Sequence, residues 1–270
     1  MKYKIIFCDF DGTIWRSDYT VSEKVKAAVD RYVKAGGKFI LATGRLFSAV
    51  RPRAQELNLH GEVIVYQGGG IYDLDSGKPL WLNTIPTQKA ARLLEELEKL
   101  DYCENLCYFN DECNCARPSE YVDYFCQICG VPYHSTNMPL SKYITENDIQ
   151  PVKILSLMMP EHTDEFLEYG RRAAGSGMVF TRSHKSVVEI LPLGINKGEA
   201  VRRICAEYGV DKSEVIALGD SENDASMLEF AGLGIAAGNA MPALKAVAGE
   251  VGVTNDEDFV AWVIEKYGEI

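Results

Sequence analysis

The chain has 270 residues, of which 47% are hydrophobic, so it can bury the core of one large domain or of two smaller ones. Its 28 Lys and Arg residues against 39 Asp and Glu residues give a net charge of −11 at pH 7, which disfavours binding to nucleic acid and to anionic membranes. No apolar stretch approaches the roughly 18 residues that a membrane-spanning helix needs, and a strand begins within a few residues of the N-terminus. We therefore expect a folded, cytoplasmic protein.

The first predicted strand begins at Lys4 and is followed directly by two carboxylates, Asp9 and Asp11. Gly12 and Thr13 close this run, and open α/β sheets place their chemistry at the carboxyl ends of such strands. If the strand continues, residues two apart project to the same side, and two close carboxylates attract a hard cation such as Mg²⁺. The alternative is that these Asp side chains only cap a helix or form a turn.

Strands and helices alternate in the N-terminal part of the chain. The helix that begins near Ser22 has apolar residues at helical spacing and stops before Gly36 and Gly37, and the third strand leads into a flexible turn at 67–70. The predicted segments are helices over 22–35 and about 45–58 and strands over 38–42 and 62–66. This alternation is typical of the α/β class with a doubly wound parallel sheet.

The regular alternation stops between about Leu82 and Leu191 and resumes after Pro192. The middle part is predicted to hold helices near 87–100, 119–129 and 161–172, strands near 107, 115, 152–159, 180 and 188, and an irregular polar stretch over 135–151. The last part is predicted to hold helices over 197–208, 223–230, 241–247 and from 256, with strands over 215–218 and 233–236. This pattern predicts an α/β core at 1–82 and 192–270 with an inserted α+β domain at 83–191.

Six of the eight cysteines lie between Cys103 and Cys129. Cys113 and Cys115, followed by Cys126 and Cys129, have spacings that a zinc site could use. The first pair, however, matches one face of a strand, and the second matches the end of an amphipathic helix. We therefore favour buried, reduced thiols and keep a zinc site as the alternative.

Two further groups of polar residues follow the insertion. Asp220 comes directly after an apolar strand, and a helix cap would explain only one of the three polar positions Asp220, Asn223 and Asp224. Lys197 begins a helix, at the end where the helix dipole disfavours a cation. A solvated lysine is one interpretation, and a lysine directed at a phosphate group is the other.

Together these segments resemble a phosphatase of the haloacid dehalogenase superfamily, of the Cof type. The four motifs of the superfamily match, in order, 9–13, Thr43 within 41–45, Lys197, and 219–224. The resemblance covers the whole chain, because the family inserts a large α+β cap of the C2 type (subfamily IIB) between the second and third motifs. It implies a Rossmann-like core with the cap at 83–191.

The resemblance implies a phosphatase that depends on Mg²⁺ and hydrolyses small phosphorylated metabolites through an aspartyl-phosphate. Asp9 would attack the phosphorus, and Asp11 would protonate the leaving group and then deprotonate the attacking water. Mg²⁺ would be held by Asp9, by the backbone carbonyl of Asp11 and by Asp220.

The resemblance also implies a set of groups that bind the phosphoryl oxygens. Asp224 would orient Lys197 or a metal-bound water, and Arg45 would reach the substrate or pair across the first turn of its helix. The phosphoryl-binding groups would be the Thr43 hydroxyl, the backbone N–H groups of Phe10 and Gly44, and the side chains of Lys197 and Asn223.

The inserted cap would select the leaving group. His184 and Lys185, with Arg182 and Ser183 in the same predicted turn, are the candidates for this contact, and a solvated hairpin is the alternative. The family often has an Asn-Gly-Ala turn after the third strand, where this chain has Gln-Gly-Gly at 67–69. We expect this departure to alter a contact near the cap and to leave catalysis unaffected.

Two other functions stay open. A phosphosugar mutase of the same fold would also use Asp9 and Asp11 but would keep the phosphate on its product. A metal-dependent glycosyltransferase also uses an Asp-x-Asp pair, but it would not need Lys197 or Asp220. For the phosphatase, sugar phosphates, nucleotides and cofactor phosphates are all candidate substrates. We expect a monomer or homodimer that binds neither nucleic acid nor membranes.

Overall fold

In a computed structural model that describes residues 1–268, the chain divides into two units. The core unit consists of Met1–Trp81 and of the residues from Asn196 onwards, and the inserted unit consists of Leu82–Ile195. The use of these units as a catalytic core and a cap, with borders at 82/83 and 191/192, stays a prediction.

Buried apolar runs form the strands of the N-terminal part of the core unit, and amphipathic segments form its helices. The hydroxyl of Ser22 accepts a hydrogen bond from Val25 N at 3.1 Å and so caps the first helix. The elements of this part are β1 (Ile5–Cys8), α1 (Glu23–Lys34), β2 (Lys38–Leu41), α2 (Phe47–Glu56), β3 (Glu62–Val65), β4 (Gly70–Asp73) and β5 (Pro79–Leu82).

The turn predicted after β3 is present, and it is the tight turn of a hairpin. β3 and β4 pair antiparallel, with Val65 opposite Gly70, and β5 makes a third strand of this sheet. Tyr66 and Gln67 have φ angles of 54° and 59°, so the chain reverses direction in the left-handed region although neither residue is glycine. Backbone hydrogen bonds from Tyr66 N to Arg45 O and from Gln67 N to Thr43 O hold this turn, and its flexibility stays a prediction.

The inserted unit has the irregular order of helices and strands that the sequence predicted. Its elements are α3 (Thr87–Leu97), β6 (Cys103–Phe109), β7 (Glu112–Cys115), α4 (Glu120–Cys129), β8 (Tyr133–Ser135), α5 (Leu140–Glu146), β9 (Lys153–Met158), α6 (Thr163–Ala174), β10 (Met178–His184) and β11 (Val187–Pro192). They form a six-stranded sheet in the order β10-β11-β9-β6-β7-β8, in which only β7 and β8 pair in parallel.

One prediction for the inserted unit is wrong, because the stretch 135–151 contains the helix α5. Leu140 and Ile144 lie one helical turn apart and are both buried in the apolar core of this unit, which also contains Phe166. The remaining residues of the stretch are mostly polar and exposed. A helix of two turns with one apolar stripe therefore has too few apolar residues to stand out in the sequence.

The C-terminal part of the core unit returns to regular alternation and completes a parallel sheet. Its elements are α7 (Lys197–Tyr208), β12 (Val215–Gly219), α8 (Ala225–Phe230), β13 (Leu233–Ala236), α9 (Pro242–Val247), β14 (Glu250–Val251) and α10 (Phe259–Tyr267). The main sheet has the order β14-β13-β12-β1-β2 with every pair parallel, which confirms the predicted α/β class. Among the described residues, no helix combines the length and apolar character that crossing a bilayer requires.

Strand β1 lies at the centre of the main sheet, between β12 and β2. Its four residues are buried apolar side chains, as expected for an inner strand of a parallel sheet. Cys8 pairs with Leu218 of β12 and with Leu41 of β2. This register brings the residues that follow all three strands to the same edge of the sheet, which is where ligands bind in such folds.

Candidate active site

Three carboxylates meet at the carboxyl edge of the main sheet. Asp9 follows β1, Asp220 follows β12, and Asp224 lies in the short turn that precedes α8. One carboxylate oxygen of each lies within 4.8 Å of the others, and Asp9 and Asp224 are buried. The sequence placed Asp9 and Asp220 at strand ends, and the parallel register brings them together.

The ammonium group of Lys197 lies between two of these carboxylates. Lys197 Nζ is 2.5 Å from Asp9 Oδ1 and 2.6 Å from Asp224 Oδ1, and the lysine is fully buried. Burial by itself would lower the pKa of Lys197, but the charges of Asp224 and Asp9 outweigh it and raise the pKa above its ordinary value. Lys197 therefore carries a positive charge at neutral pH, and it is not the solvated lysine of the alternative interpretation.

The surroundings of Asp9 and Asp220 disfavour the charged form of both carboxylates. Burial raises the pKa of Asp9 well above its usual range, and the charge of Asp224 raises it further. The same two causes raise the pKa of Asp220 to about 7. Asp224 stabilises the turn after β12, because its Oδ2 accepts hydrogen bonds at 3.0 Å from the backbone N–H groups of Asp220 and Ser221. Asp9 Oδ1 contacts Lys197, so Asp9 Oδ2, which accepts a hydrogen bond of 3.3 Å from Thr13, and the Asp220 carboxylate are the oxygens that would hold a cation.

The backbone after β1 is shaped to approach Asp220. Gly12 has a φ angle of 75°, and a Cβ atom added there would lie 2.4 Å from Asp220 Oδ2. Asn239 Nδ2 donates a hydrogen bond of 2.8 Å to the carbonyl of Gly12 and holds this turn. Carboxylate oxygens within 4.8 Å of one another are donors that hard divalent cations prefer, so the residues present fit Mg²⁺.

Asp11 does not join the acidic group, so the expectation that its side chain pairs with that of Asp9 is wrong. β1 ends at Cys8 and the chain turns over 10–14, so the strand does not continue through Asp11. The half-exposed carboxylate of Asp11 instead accepts two hydrogen bonds of 2.8 Å from Nε and Nη2 of Arg45. The Arg45 guanidinium also lies 4.9 Å from the centre of the Trp15 ring.

The residues predicted to bind phosphoryl oxygens lie at the ends of β1 and β2 and near α8. Thr43 is buried, and its Oγ1 accepts a hydrogen bond from Arg45 N at 3.1 Å. Phe10 is buried with its ring 4.3 Å from that of Trp15, so any contact with a ligand has to come from its backbone. Asn223 Nδ2 donates a hydrogen bond of 2.9 Å to Gln67 Oε1.

Gln67 has contacts in this site that sequence reasoning did not predict. Its side chain contacts Asn223 and packs against Gly44, and the expected effect of the departure from Asn on a contact near the cap stays a prediction. Both of these neighbours are predicted phosphoryl-binding residues. The signal was present in the sequence, because the end of β3 follows β2 in the alternating pattern and so leads to the same edge of the core.

Comparison of the chain with models of known protein families shows which family it belongs to. The model of the haloacid dehalogenase-like hydrolases matches residues 6–264. The chain belongs to the haloacid dehalogenase-like hydrolases. This match confirms the resemblance seen in the four sequence motifs and the prediction of an enzyme.

Relatives of this haloacid dehalogenase-like hydrolase cover nearly its whole length. It is 29% identical to 5-amino-6-(5-phospho-D-ribitylamino)uracil phosphatase YwtE of Bacillus subtilis, over 97% of each chain. It is 28% identical, over 98% of its own length, to the chloroplastic endoribonuclease YBEY of Arabidopsis thaliana, and it spans 47% of that longer protein. A crystal structure of a haloacid dehalogenase-like hydrolase from Bacteroides thetaiotaomicron has a TM-score of 0.87 and 29% identity, covering 98% of this chain and 99% of that one.

In the inserted unit of this haloacid dehalogenase-like hydrolase, the polar turn predicted over 182–185 is shorter than expected. Arg182, Ser183 and His184 belong to the end of β10, where the pairing with β11 is irregular. Arg182 forms an ion pair with Asp164 of α6, and His184 Nδ1 accepts a hydrogen bond from Ser186 N at 3.3 Å. Lys185 is exposed, and its carbonyl accepts a hydrogen bond from Thr163.

The cysteines of the hydrolase lie mostly in the interior of the inserted unit. Cys113 and Cys115 are buried on β7, and Cys126 is buried on α4, where the sequence predicted a strand face and a helix. Burial raises the pKa of Cys115 to about 11 and that of Cys103 to about 12. These two thiols are therefore protonated at neutral pH and are weak nucleophiles. The zinc alternative stays untested.

Proposed function

We propose that this hydrolase is a Mg²⁺-dependent phosphatase that cleaves small phosphorylated metabolites through an aspartyl-phosphate on Asp9. The observation that carries this proposal is the contact of Lys197 with Asp9 beside Asp220, at the carboxyl edge of a parallel sheet. A carboxylate beside a fixed positive charge can receive a phosphoryl group, because that charge attracts the anionic substrate and stabilises the transition state. The relative from Bacillus subtilis is named a phosphatase, which supports this reaction class.

In the first step, a carboxylate oxygen of Asp9 forms a bond to phosphorus while the ester P–O bond breaks. Asp11 donates a proton to the departing alkoxide, and in the second step it takes a proton from the water that hydrolyses the aspartyl-phosphate. Asp11 accepts two hydrogen bonds from Arg45 in the structure, so this pair has to open and the Asp11 carboxylate has to take up a proton from solvent before it can protonate the departing alkoxide. Its half-exposed position leaves room for that movement.

The proposed cofactor is Mg²⁺, held by the carboxylates of Asp9 and Asp220 and by the backbone carbonyl of Asp11. When bound, it supplies positive charge that reduces the repulsion between nucleophile and phosphate. Lys197, Asn223, the Thr43 hydroxyl and the backbone N–H groups of Phe10 and Gly44 bind the phosphoryl oxygens. Asp224 contacts Lys197 at 2.6 Å and therefore orients it.

The inserted unit is proposed to act as a cap that selects the leaving group. His184 and Lys185 are exposed polar residues at the β10–β11 hairpin and are the proposed contacts with a hydroxylated metabolite. Arg45 is proposed to contact the substrate once it leaves Asp11. A cytoplasmic monomer or homodimer that acts on sugar phosphates, nucleotides or cofactor phosphates is the corresponding biological form.

The test is the release of phosphate from p-nitrophenyl phosphate with Mg²⁺ by the parent protein and by Asp9→Asn. We expect the substitution to lower kcat by a thousandfold or more, on the order of the effect of losing a nucleophile, without lowering the thermal unfolding temperature. Asp30→Asn, which alters a surface carboxylate of α1 paired with Lys34, is the matched control.

Three results would contradict the proposal. Activity of Asp9→Asn near that of the parent would exclude Asp9 as the nucleophile. Retention of the phosphate on the product of a sugar-phosphate substrate, with no free phosphate released, would indicate the mutase. Transfer of a sugar from a nucleotide sugar, without phosphatase activity, would indicate the glycosyltransferase.

A further inference from the structure

The turn between β3 and β4 contacts the loop that carries Thr43. Tyr66 and Gln67 have positive φ angles, which cost a non-glycine residue about 1 kcal/mol or more each, so contacts elsewhere have to maintain this conformation. Two of them are backbone hydrogen bonds, from Tyr66 N to Arg45 O at 3.2 Å and from Gln67 N to Thr43 O at 3.0 Å. The turn is thereby joined to the end of β2.

The same turn also contacts the start of α7. A Cβ atom at Gly68 would lie 2.3 Å from the carbonyl oxygen of Asn196 and 3.0 Å from the backbone N of Lys197. This approach is closer than any side chain allows, so glycine is needed here. The turn therefore lies between the segment that carries Thr43 and the segment that carries Lys197.

The side chain of Gln67 reaches a third segment, the one that carries Asn223. Gln67 is only 7% exposed, and its Oε1 accepts a hydrogen bond of 2.9 Å from Asn223 Nδ2. A Cβ atom at Gly44 would lie 2.5 Å from Gln67 Nε2, so the Gln67 amide packs closely against Gly44 and a larger residue at position 44 would displace it.

The oxygen atom of the Asn223 amide lacks a hydrogen-bond partner among the described residues. Asn223 Oδ1 is buried and makes no hydrogen bond with any described residue. An asparagine amide has two N–H groups and one oxygen, and the hydrogen bond that Asn223 donates to Gln67 determines which end faces which neighbour. Because Asn223 Nδ2 donates one of its two N–H groups to Gln67, the second N–H is available as a donor to a ligand.

We propose that Gln67 is a positioning residue that fixes the orientation of the Asn223 amide, so that its second N–H faces the phosphoryl group. This inference rests on the proposed function. Without the Gln67 oxygen, the Asn223 amide can rotate and place its own oxygen toward the phosphate, where it would repel the negative charge. The contribution of Asn223 then falls most strongly in the transition state, where the phosphoryl oxygens depend most on oriented donors.

The test is a double-mutant cycle with Gln67→Met, Asn223→Ala and the combined variant, using p-nitrophenyl phosphate and Mg²⁺. Methionine has nearly the length of glutamine but cannot accept the hydrogen bond. We expect Gln67→Met to lower kcat by about tenfold with a smaller change in KM. In the Asn223→Ala background, the same substitution should lower kcat little further. The thermal unfolding temperature should stay close to that of the parent, and Gln55→Met on the exposed face of α2 is the matched control.

The outcomes separate this inference from the proposed function. Parent-like kinetics of Gln67→Met in an active enzyme would overturn the inference and leave the phosphatase intact. Additive losses in the combined variant would also overturn it, because Gln67 would then act independently of Asn223. Absence of phosphate release by the parent protein itself would overturn both.

Discussion

Lys197 Nζ and Asp9 Oδ1 lie 2.5 Å apart, although 188 positions separate the two residues in the chain. Asp224 contacts the same ammonium group at 2.6 Å, and all three side chains are buried. A buried cation between two carboxylates stabilises both of them, because its removal would leave two like charges uncompensated in a medium of low polarity, whereas the cation keeps a partner when one carboxylate is neutralised. The site therefore affects folding as well as chemistry.

Lys197→Met is expected to lower the free energy of unfolding by about 3 kcal/mol, because Asp9 and Asp224 lose their common partner. The cost should be smaller in the Asp224→Asn background, where one of the two negative charges is already gone. Urea unfolding of the parent, both single variants and the double variant, all in EDTA at pH 7.5, measures this coupling. If the decreases in the free energy of unfolding of the two single variants add up to that of the double variant, Asp224 does not hold Lys197.

Removal of metal is expected to abolish activity, and Mg²⁺ is expected to restore it. A readout independent of turnover is thermal unfolding, because a cation that binds only the folded protein stabilises it by about 2.7 kcal/mol at a hundredfold excess over its Kd. This stabilisation should be weakened in Asp220→Asn, which loses a proposed ligand. An equal Mg²⁺ effect on the parent and on Asp220→Asn would place the cation elsewhere.

Metal analysis of the purified protein tests the interpretation of the cysteines. We expect no stoichiometric zinc, and a zinc chelator too weak to remove Mg²⁺ should leave the unfolding of the inserted unit unchanged. Stoichiometric zinc that is lost together with the fold of this unit would overturn the interpretation of Cys113, Cys115 and Cys126 as buried thiols.

Asp258 is expected to contribute to stability in a manner that depends on pH. Burial alone would raise its pKa, but hydrogen bonds from Ser22 and Arg16, both of 2.6 Å, outweigh burial and hold the pKa below its ordinary value. A carboxylate with a lowered folded pKa stabilises the protein above its unfolded pKa of about 4, and this contribution is lost as the pH falls through the folded pKa.

Asp258→Asn should therefore cost about 1 kcal/mol at pH 7 and progressively less below about pH 4. Asparagine tolerates the φ angle of 64° at this position, so the comparison isolates the charge. Urea unfolding at pH 7, 5 and 3 gives the measurement, with Asp30→Asn as the surface control. A cost that is independent of pH would assign the effect to packing.

Alanine substitution of both His184 and Lys185 tests the proposed cap contacts. We expect kcat/KM for the preferred metabolite to fall by about tenfold for each polar side chain removed, with little change for p-nitrophenyl phosphate, which offers few groups to bind. Lys142→Ala, an exposed lysine of α5, is the control. Equal decreases on both substrates would instead indicate support of the core site or of the fold, and unchanged kinetics on both would indicate a solvated hairpin.

The errors of the sequence interpretation lie where local patterns are weak. The helix α5 was missed because Leu140 and Ile144 are its main apolar signals, and β4 was missed because the glycines at 68–70 suggest a loop. The strands β1, β2 and β12 were predicted nearly to their ends, because each is a continuous apolar run followed directly by polar residues.

By itself, the sequence determined that Asp9, Thr43 and Asp220 follow buried strands of an α/β core, because the strand pattern and the polar residue after it are adjacent in the chain. Only the tertiary structure decided which of these side chains meet. Asp11 turns to Arg45 rather than to Asp9, and Gln67 contacts Asn223, 156 positions away in the chain. Such contacts depend on sheet register and on the path of each turn, and these are set by packing between segments that are distant in the sequence.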